Sequence, residues 1–220
     1  MWQTASGFKY LAQENVLHHD IATRNILLDA NLTPKISDFG LASATDTEFS
    51  TYFETKKHDG RFLPMLNFAP ERFDLKCSIK SEVYSFGFLM YEILTRGCPA
   101  HPLEGRISNP RSETEIAILK NYVQDESHSP KNSLAPLLAD KRELELVKRL
   151  FAILEDVWAF EYQKRPTFSY LETELRYDLH DFIGRNAESQ PDLNFNLQKA
   201  ESVYVRESPL DYAVHVRATF

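Results

Sequence analysis

Two short polar segments separated by a predicted β-hairpin constrain the fold of this 220-residue chain more than any other feature. The first segment covers residues 18–25 and the second covers residues 38–40. Between them, residues 26–28 and 34–36 have the apolar character of short strands, and residues 29–33 have the composition of a turn. Such a hairpin brings the end of the first segment close to the start of the second. We therefore expect polar side chains from both segments to meet.

Three side chains in these segments have the chemistry that phosphoryl transfer requires. Asp20 can accept or orient a hydroxyl proton, while the Asn25 amide oxygen and the Asp38 carboxylate are hard oxygen ligands of the kind that magnesium prefers. Taken singly, an Asp near a turn is most often a cap or a turn former. The spacing of all three around a predicted hairpin makes chance a poor explanation, so we predict that Asn25 and Asp38 share a magnesium ion.

These segments resemble the catalytic and magnesium-binding loops of the protein kinase superfamily. The resemblance continues at residues 69–71, which read Ala-Pro-Glu, at residues 81–87, which are similar to the start of the family's central helix, and at Arg165. It covers roughly residues 1–180. The resemblance implies that the chain uses ATP and magnesium, and that Glu71 and Arg165 form a buried ion pair.

Within the superfamily, the sequence resembles receptor-type tyrosine kinases more than serine/threonine kinases. Ala22 stands where serine/threonine kinases usually carry Lys, and Arg24 before Asn25 resembles the tyrosine kinase pattern Ala-Ala-Arg-Asn. Pro64 resembles the proline that helps to hold an incoming tyrosine, and Tyr52 resembles a regulatory tyrosine of the activation loop. The resemblance implies transfer of the ATP γ-phosphoryl group to a protein tyrosine, with Asp20 as base and with Arg24 and Pro64 as positioning residues.

Three departures from the family pattern bear on activity, and the least of them is Asn67-Phe68 in place of Trp-Met, which we expect to alter local packing more than chemistry. His19 stands where Arg usually follows the catalytic-loop His18, and a neutral imidazole, with an unperturbed pKa of about 6.5, cannot pair with an activation-loop phosphate. We therefore expect phosphorylation of Tyr52 to order the loop little at neutral pH, and equal stimulation of wild type and His19→Arg by that phosphorylation would contradict this.

Glu82 replaces an Asp that accepts hydrogen bonds from the catalytic-loop backbone in the family. The extra methylene moves its oxygens by about 1.5 Å, so the loop must shift or the side chain must fold back.

The rest of the chain predicts a mainly α fold, resembling a kinase C-terminal lobe with a small β-hairpin that carries the catalytic and magnesium loops. Helices are predicted at residues 2–14, 79–95, 112–124, 140–158 and 167–183. The second of these is apolar nearly all round, which is typical of a buried helix. We expect a kinase domain at residues 1–183 and a flexible tail at residues 184–220.

The family's N-terminal lobe, with its Gly-rich loop and strand lysine, has no counterpart that we can identify in this sequence. We therefore expect a truncated kinase domain that is nearly inert on its own, from an incomplete gene model or as a fragment of a longer receptor. The alternative is a catalytically inactive, pseudokinase-like binding module. Its partners would bind the helix at residues 112–124 or the tail.

Composition narrows the remaining function classes. A net charge of −7 argues against nucleic-acid binding, and 43% hydrophobic content suits a globular domain. The two cysteines fit no metal or disulfide pattern, and no apolar run of membrane-spanning length occurs. Both observations favour the cytoplasm, or the cytoplasmic side of a membrane if the chain is part of a receptor.

Tyr204 and Tyr212 lie in acidic surroundings. They are either recruitment sites for phosphotyrosine-reading partners or ordinary tail residues.

Overall fold

The structure is a computed structural model that describes residues 1–45, 65–74, 76–95, 97, 113–130 and 144–186, with the side chains of residues 146–177 in the last range. Within these ranges the chain forms five α-helices, namely α1 (Trp2–Gln13), α2 (Ile79–Leu94), α3 (Glu113–Gln124), α4 (Leu144–Val157) and α5 (Phe168–Asn186). The four short strands are β1 (Val16–Leu17), β2 (Ile26–Leu28), β3 (Pro34–Ile36) and β4 (Ser43–Ala44). The expected mainly α fold with a small β-hairpin is confirmed.

The two strand pairs fix the polar segments relative to each other. β2 pairs antiparallel with β3, with Ile26 opposite Ile36, as the sequence predicts. The carboxylate of Asp29 holds the turn, because its Oδ1 accepts hydrogen bonds from the backbone N–H groups of Asn31 at 2.8 Å and Thr33 at 2.9 Å. β1, which precedes the first polar segment, pairs antiparallel with β4, which follows the second. The two segments are therefore bracketed by one strand pair and separated by the other.

Helix α2 is the buried centre of the fold. Ser78 caps its first turn, where the Ser78 and Ser81 side chains each accept a hydrogen bond from the other's backbone N–H. Every residue from Ser81 to Tyr91 is buried, as the all-round apolar pattern predicts. At Gly87 the indole of Trp158 packs so closely that an added Cβ would lie 2.5 Å from its Nε1.

Three aromatic rings connect α2 with the first and last helices. The ring centroids of Phe8, Phe86 and Phe168 are 5.5–5.8 Å apart in each pair. These distances are typical of favourable aromatic contacts in protein cores. The rings hold α1 and α5 against the central helix.

The helix boundaries differ from the sequence predictions by a few residues. Helix α5 continues through Asn186, beyond the predicted end at residue 183, because Gly184 does not break the helix. A glycine inside a helix costs about 1 kcal/mol relative to alanine, which neighbouring residues can offset. After α3 the chain forms a 3₁₀ turn at Glu126–His128. None of the helices in the described ranges is long and apolar enough to cross a membrane.

Candidate active site

Glu82 anchors the first polar segment, residues 18–25, to the central helix. We call it the catalytic segment after the family loop that it resembles. Its buried carboxylate accepts a hydrogen bond from the backbone N–H of His18 at 2.8 Å and another from the backbone N–H of His19 at 3.1 Å. Each carboxylate oxygen serves one amide, so the longer side chain reaches two consecutive residues of the segment. The predicted contact between Glu82 and the loop backbone is therefore present despite the extra methylene.

The buried His18 ring connects this segment to the one that carries Asp38. Its Nδ1 accepts a hydrogen bond from the backbone N–H of Asp20 at 3.3 Å, and its Nε2 lies 2.9 Å from the backbone carbonyl oxygen of Ser37. Because the amide can only donate and the carbonyl can only accept, we assign the ring proton to Nε2. The ring also packs against Phe39, at a centroid distance of 5.0 Å. One imidazole thus holds Asp20 and the residues on both sides of Asp38.

Two neighbours orient the Asp20 carboxylate. Arg24 forms an ion pair with Oδ1, and the Asn25 side-chain amide donates to Oδ2 at 2.9 Å and to the Asp20 backbone oxygen at 2.8 Å. The Arg24 side chain is 57% exposed, so water reaches this ion pair. Asp20 is therefore held by Asn25 from one side and paired with a more exposed arginine at its other oxygen.

Asn25 and Asp38 have the donor chemistry that magnesium requires. The Asn25 NH₂ group is used on Asp20, which leaves the amide Oδ1 for a cation. The Ser37 backbone N–H and hydroxyl both donate to the Asn25 backbone oxygen, at 2.9 and 3.0 Å, so the residue before Asp38 is fixed to Asn25. Asp38 itself has a left-handed backbone (φ 61°) and its Oδ1 accepts from the Gly40 N–H at 3.3 Å. Hard oxygens from both segments fit an ion that completes its shell with water and phosphate oxygens.

Among the residues that the structure describes, no cluster of three or more His, Cys, Asp or Glu side chains could enclose a metal. The site that we predict has a different composition, one carboxylate and one amide. Its metal would depend on the phosphate groups of a bound nucleotide for further ligands, which is how magnesium is commonly held at such sites.

The predicted ion pair between Glu71 and Arg165 is present in the structure. The guanidinium makes two parallel contacts with the carboxylate, Nη1 to Oε1 at 2.6 Å and Nη2 to Oε2 at 2.9 Å. It also donates to the backbone oxygens of Lys80, Ala159 and Phe160. The buried Arg165 side chain thus connects the Ala-Pro-Glu turn to the start of α2 and to the segment before α5.

A second buried contact was not predicted from the sequence. The Nε2 of His19 lies 2.7 Å from the Ser43 hydroxyl, and its Nδ1 lies 3.4 Å from Nη2 of Arg72. The guanidinium of Arg72 also stacks on the Phe68 ring, 3.8 Å from its centroid. The available signal was the basic residue directly after Ala-Pro-Glu, in a chain that lacks the usual arginine at position 19.

The hairpin also has a surface that the sequence did not single out, because Leu27, Leu28 and Leu32 are large exposed apolar side chains. Tyr52 and Pro64 lie outside the described residues, as do the tail tyrosines. Their regulatory, platform and recruitment roles stay predictions, and so do the catalytic and metal roles of Asp20, Arg24, Asn25 and Asp38.

A comparison with protein families bears on the whole arrangement. The model of one family, described as protein tyrosine and serine/threonine kinase, matches residues 1–175. The match includes the polar segments, the hairpin between them, the central helix and both members of the buried ion pair. Its members transfer phosphoryl groups from ATP to proteins with the help of magnesium. Since the match covers well over half of the chain, the chain belongs to the protein tyrosine and serine/threonine kinase family.

Proposed function

We propose that this chain is part of a receptor-like protein tyrosine kinase, which transfers the γ-phosphoryl group of ATP to the hydroxyl of a protein tyrosine. The observation that carries the proposal is the arrangement around Asp20. Its carboxylate is fixed by Asn25, paired with Arg24, and connected through His18 to the segment of Asp38. A positioned carboxylate next to hard oxygen ligands is what in-line phosphoryl transfer needs.

In the proposed reaction, Asp20 accepts the proton of the tyrosine hydroxyl as its oxygen bonds to the γ-phosphorus. The bond between the γ-phosphorus and the bridging oxygen breaks, and ADP leaves with that electron pair. Magnesium, when bound by Asn25 and Asp38, would neutralise charge on the phosphate oxygens. Arg24 would turn from Asp20 towards the incoming tyrosine, and Pro64 would support the ring.

Preference for tyrosine is the finer part of this proposal and rests on Arg24 together with Ala22. Arg24, which pairs with Asp20, stands where the tyrosine kinase pattern Ala-Ala-Arg-Asn has its arginine. Ala22 supplies no ammonium group beside the catalytic carboxylate. A serine/threonine kinase usually has a lysine at that position, and its absence here favours tyrosine.

A non-catalytic binding module is the second candidate. It is favoured by the exposed Leu27, Leu28 and Leu32, which give the hairpin an apolar surface that a partner protein could cover. On this alternative the contacts of Asp20 serve only to stabilise the loop.

The test combines nucleotide binding with phosphoryl transfer by the 220-residue chain. Calorimetry measures binding of ATP with magnesium, with Asp38→Ala as the control that removes one proposed ligand. Transfer is measured to a glutamate-tyrosine copolymer and to a matched glutamate-serine copolymer, with Asp20→Asn as the control. Transfer to tyrosine alone, lost in Asp20→Asn, supports the proposal. Transfer to serine contradicts the tyrosine preference, and metal-independent binding without transfer favours the binding module.

For this chain on its own we expect weak nucleotide binding, because a nucleotide pocket normally buries most of its ligand between two surfaces. Micromolar binding that is lost in Asp38→Ala would contradict that expectation while supporting the metal site.

A further inference from the structure

Three parts of the chain that are distant in sequence meet at the His19 ring. His19 belongs to the catalytic segment, Ser43 lies in strand β4 after the segment of Asp38, and Arg72 lies in the 3₁₀ turn at Pro70–Asp74. All three residues are buried, with His19 only 1% exposed and Arg72 4% exposed. Their contacts are therefore shielded from water and are stronger than the same contacts on a surface.

The direction of the hydrogen bonds at this ring follows from the chemistry of the partners. A guanidinium can only donate, so Nδ1 of His19 must be the acceptor of the contact with Arg72. The ring proton is then on Nε2, which donates to the Ser43 hydroxyl at 2.7 Å. The opposite tautomer would place two donors against each other at Nδ1. Arg72 therefore selects one form of the ring.

Arg72 is itself held in a fixed position. Its guanidinium carbon lies over the Phe68 ring, 3.8 Å from the centroid, so the ring restricts it from one side. It also interacts with the buried thiol of Cys77, where it opposes the rise in the pKa of that thiol that burial causes. A rotation of the arginine would have to break these contacts together, so it can act as a rigid support for His19.

The backbone conformation of His19 links the position of its ring to the position of Asp20. His19 has a positive φ of 69°, a conformation that a residue with a side chain holds only when its surroundings enforce it. Glu82 holds the backbone N–H of His19, and Ser43 and Arg72 hold the ring. Because Asp20 follows directly, the direction in which its carboxylate points depends on these contacts.

We propose that Arg72 is a positioning residue for Asp20, acting through His19, and that this internal charge holds the catalytic segment without an added phosphate. The consequence for catalysis by Asp20 rests on the proposed kinase function, whereas the contact between the two side chains does not. The proposal gives a structural reason why modification of Tyr52 should have little effect on the segment.

The first test examines the His19 ring in the wild-type chain. Long-range proton–nitrogen NMR spectra of the ¹⁵N-labelled chain report which ring nitrogen of each of the seven histidines carries the proton. The His19 signals are assigned from their loss in His19→Gln. We expect the Nε2–H form alone, and a ring with its proton on Nδ1 overturns the proposal because Arg72 could not then donate to it.

The second test removes the donor. Arg72→Met keeps an unbranched apolar side chain, although a shorter one, but has no N–H, so we expect the His19 ring to lose its single tautomer and the amide signals of His19 and Asp20 to shift. Arg72→Lys keeps a donor and should restore part of the wild-type spectrum. Arg176→Met is the matched control, because it removes an exposed arginine that lies over Trp2. It should change neither the His19 tautomer nor the amide signals of His19 and Asp20. If Arg72→Met alters the ring but leaves the Asp20 amide unchanged, Arg72 does not position Asp20.

Neither measurement depends on ATP. Metal-independent nucleotide binding without transfer, together with the expected His19 tautomer and its loss in Arg72→Met, would refute the proposed function and leave this contact established. Transfer to tyrosine by a chain whose His19 ring carries its proton on Nδ1 would support the proposed function and refute this contact.

Discussion

Replacement of Glu82 by Gln tests how the catalytic segment is anchored, because it changes one buried side chain at the point where two amides converge. The carboxylate accepts the N–H of His18 at 2.8 Å and that of His19 at 3.1 Å, through different oxygens. A Gln side chain has almost the same shape but only one acceptor oxygen. Its NH₂ group must face one of the two backbone amides, donor against donor.

The cost follows from the loss of one of these two hydrogen bonds. A hydrogen bond to a charged group contributes about 1.5–3 kcal/mol, and a buried donor left without an acceptor costs a similar amount. Since both amides are buried with Glu82, water cannot replace the missing oxygen. We therefore expect Glu82→Gln to lower the free energy of unfolding by about 1.5–3 kcal/mol.

Urea unfolding of the 220-residue chain measures this change, with Glu92→Gln as the matched control. Glu92 lies on the same helix but is exposed, and such a surface substitution usually changes stability by no more than about 0.5 kcal/mol. Hydrogen exchange provides a local readout, because one of the amides at residues 18 and 19 should lose protection in Glu82→Gln. Equal stabilities of the two variants, with both amides still protected, would refute the view that this carboxylate anchors the segment.

Three further predictions concern the ion pair, the central helix and the hairpin. Arg165→Met leaves the Glu71 carboxylate, whose side chain is only 11% exposed, without its partner. It should lower the free energy of unfolding by about 3–5 kcal/mol in the same urea assay; a loss under about 1 kcal/mol, typical of an exposed pair, would contradict it. Gly87→Ala drives a methyl group into Trp158 and should cost about 1–3 kcal/mol, read from the melting temperature, although alanine is the better helix former. The backbone N–H groups of the turn, that of Thr33 first, lower the pKa of Asp29 below its usual 3.8, so its contribution to stability should be complete above that pH and be lost as the pH falls through the lower folded value. A carboxyl NMR titration that places Asp29 at or above 3.8 would contradict this.

The parts of the fold that were predictable from sequence are those with a local physical cause. Residues 26–28 and 34–36 form strands because short apolar runs flank a turn whose Asp29 satisfies its own backbone. Helix α2 is buried because its residues are apolar on all sides. Its neighbour α5 runs past the predicted stop because Gly184 weakens a helix without ending it.

The contacts of the candidate site have a different origin. Glu71 and Arg165 are 94 residues apart, and no periodicity connects them. Their pairing was predicted only because the surrounding motifs resemble a known family. The same applies to Asn25 and Asp38, except that the hairpin between them also gives a physical reason for their proximity.

The contact between His19 and Arg72 shows why a substitution cannot be interpreted at one position alone. From the sequence, histidine at position 19 removes a cation from the catalytic segment. In the structure, a cation 53 residues further along donates to that histidine. Position 72 lies in a short 3₁₀ turn, which has no periodic pattern that could have indicated burial.

What brings the arginine inward is the packing of its guanidinium on Phe68 and its contact with His19, both of which exist only after the chain has folded. If this reasoning is correct, the two positions are energetically coupled. The double variant His19→Gln/Arg72→Met should then lose less stability than the sum of the two single losses, because each single variant already breaks the shared contact. Strict additivity in urea unfolding would mean that the two side chains are neighbours without being partners, and that Arg72 has no part in holding the segment of Asp20.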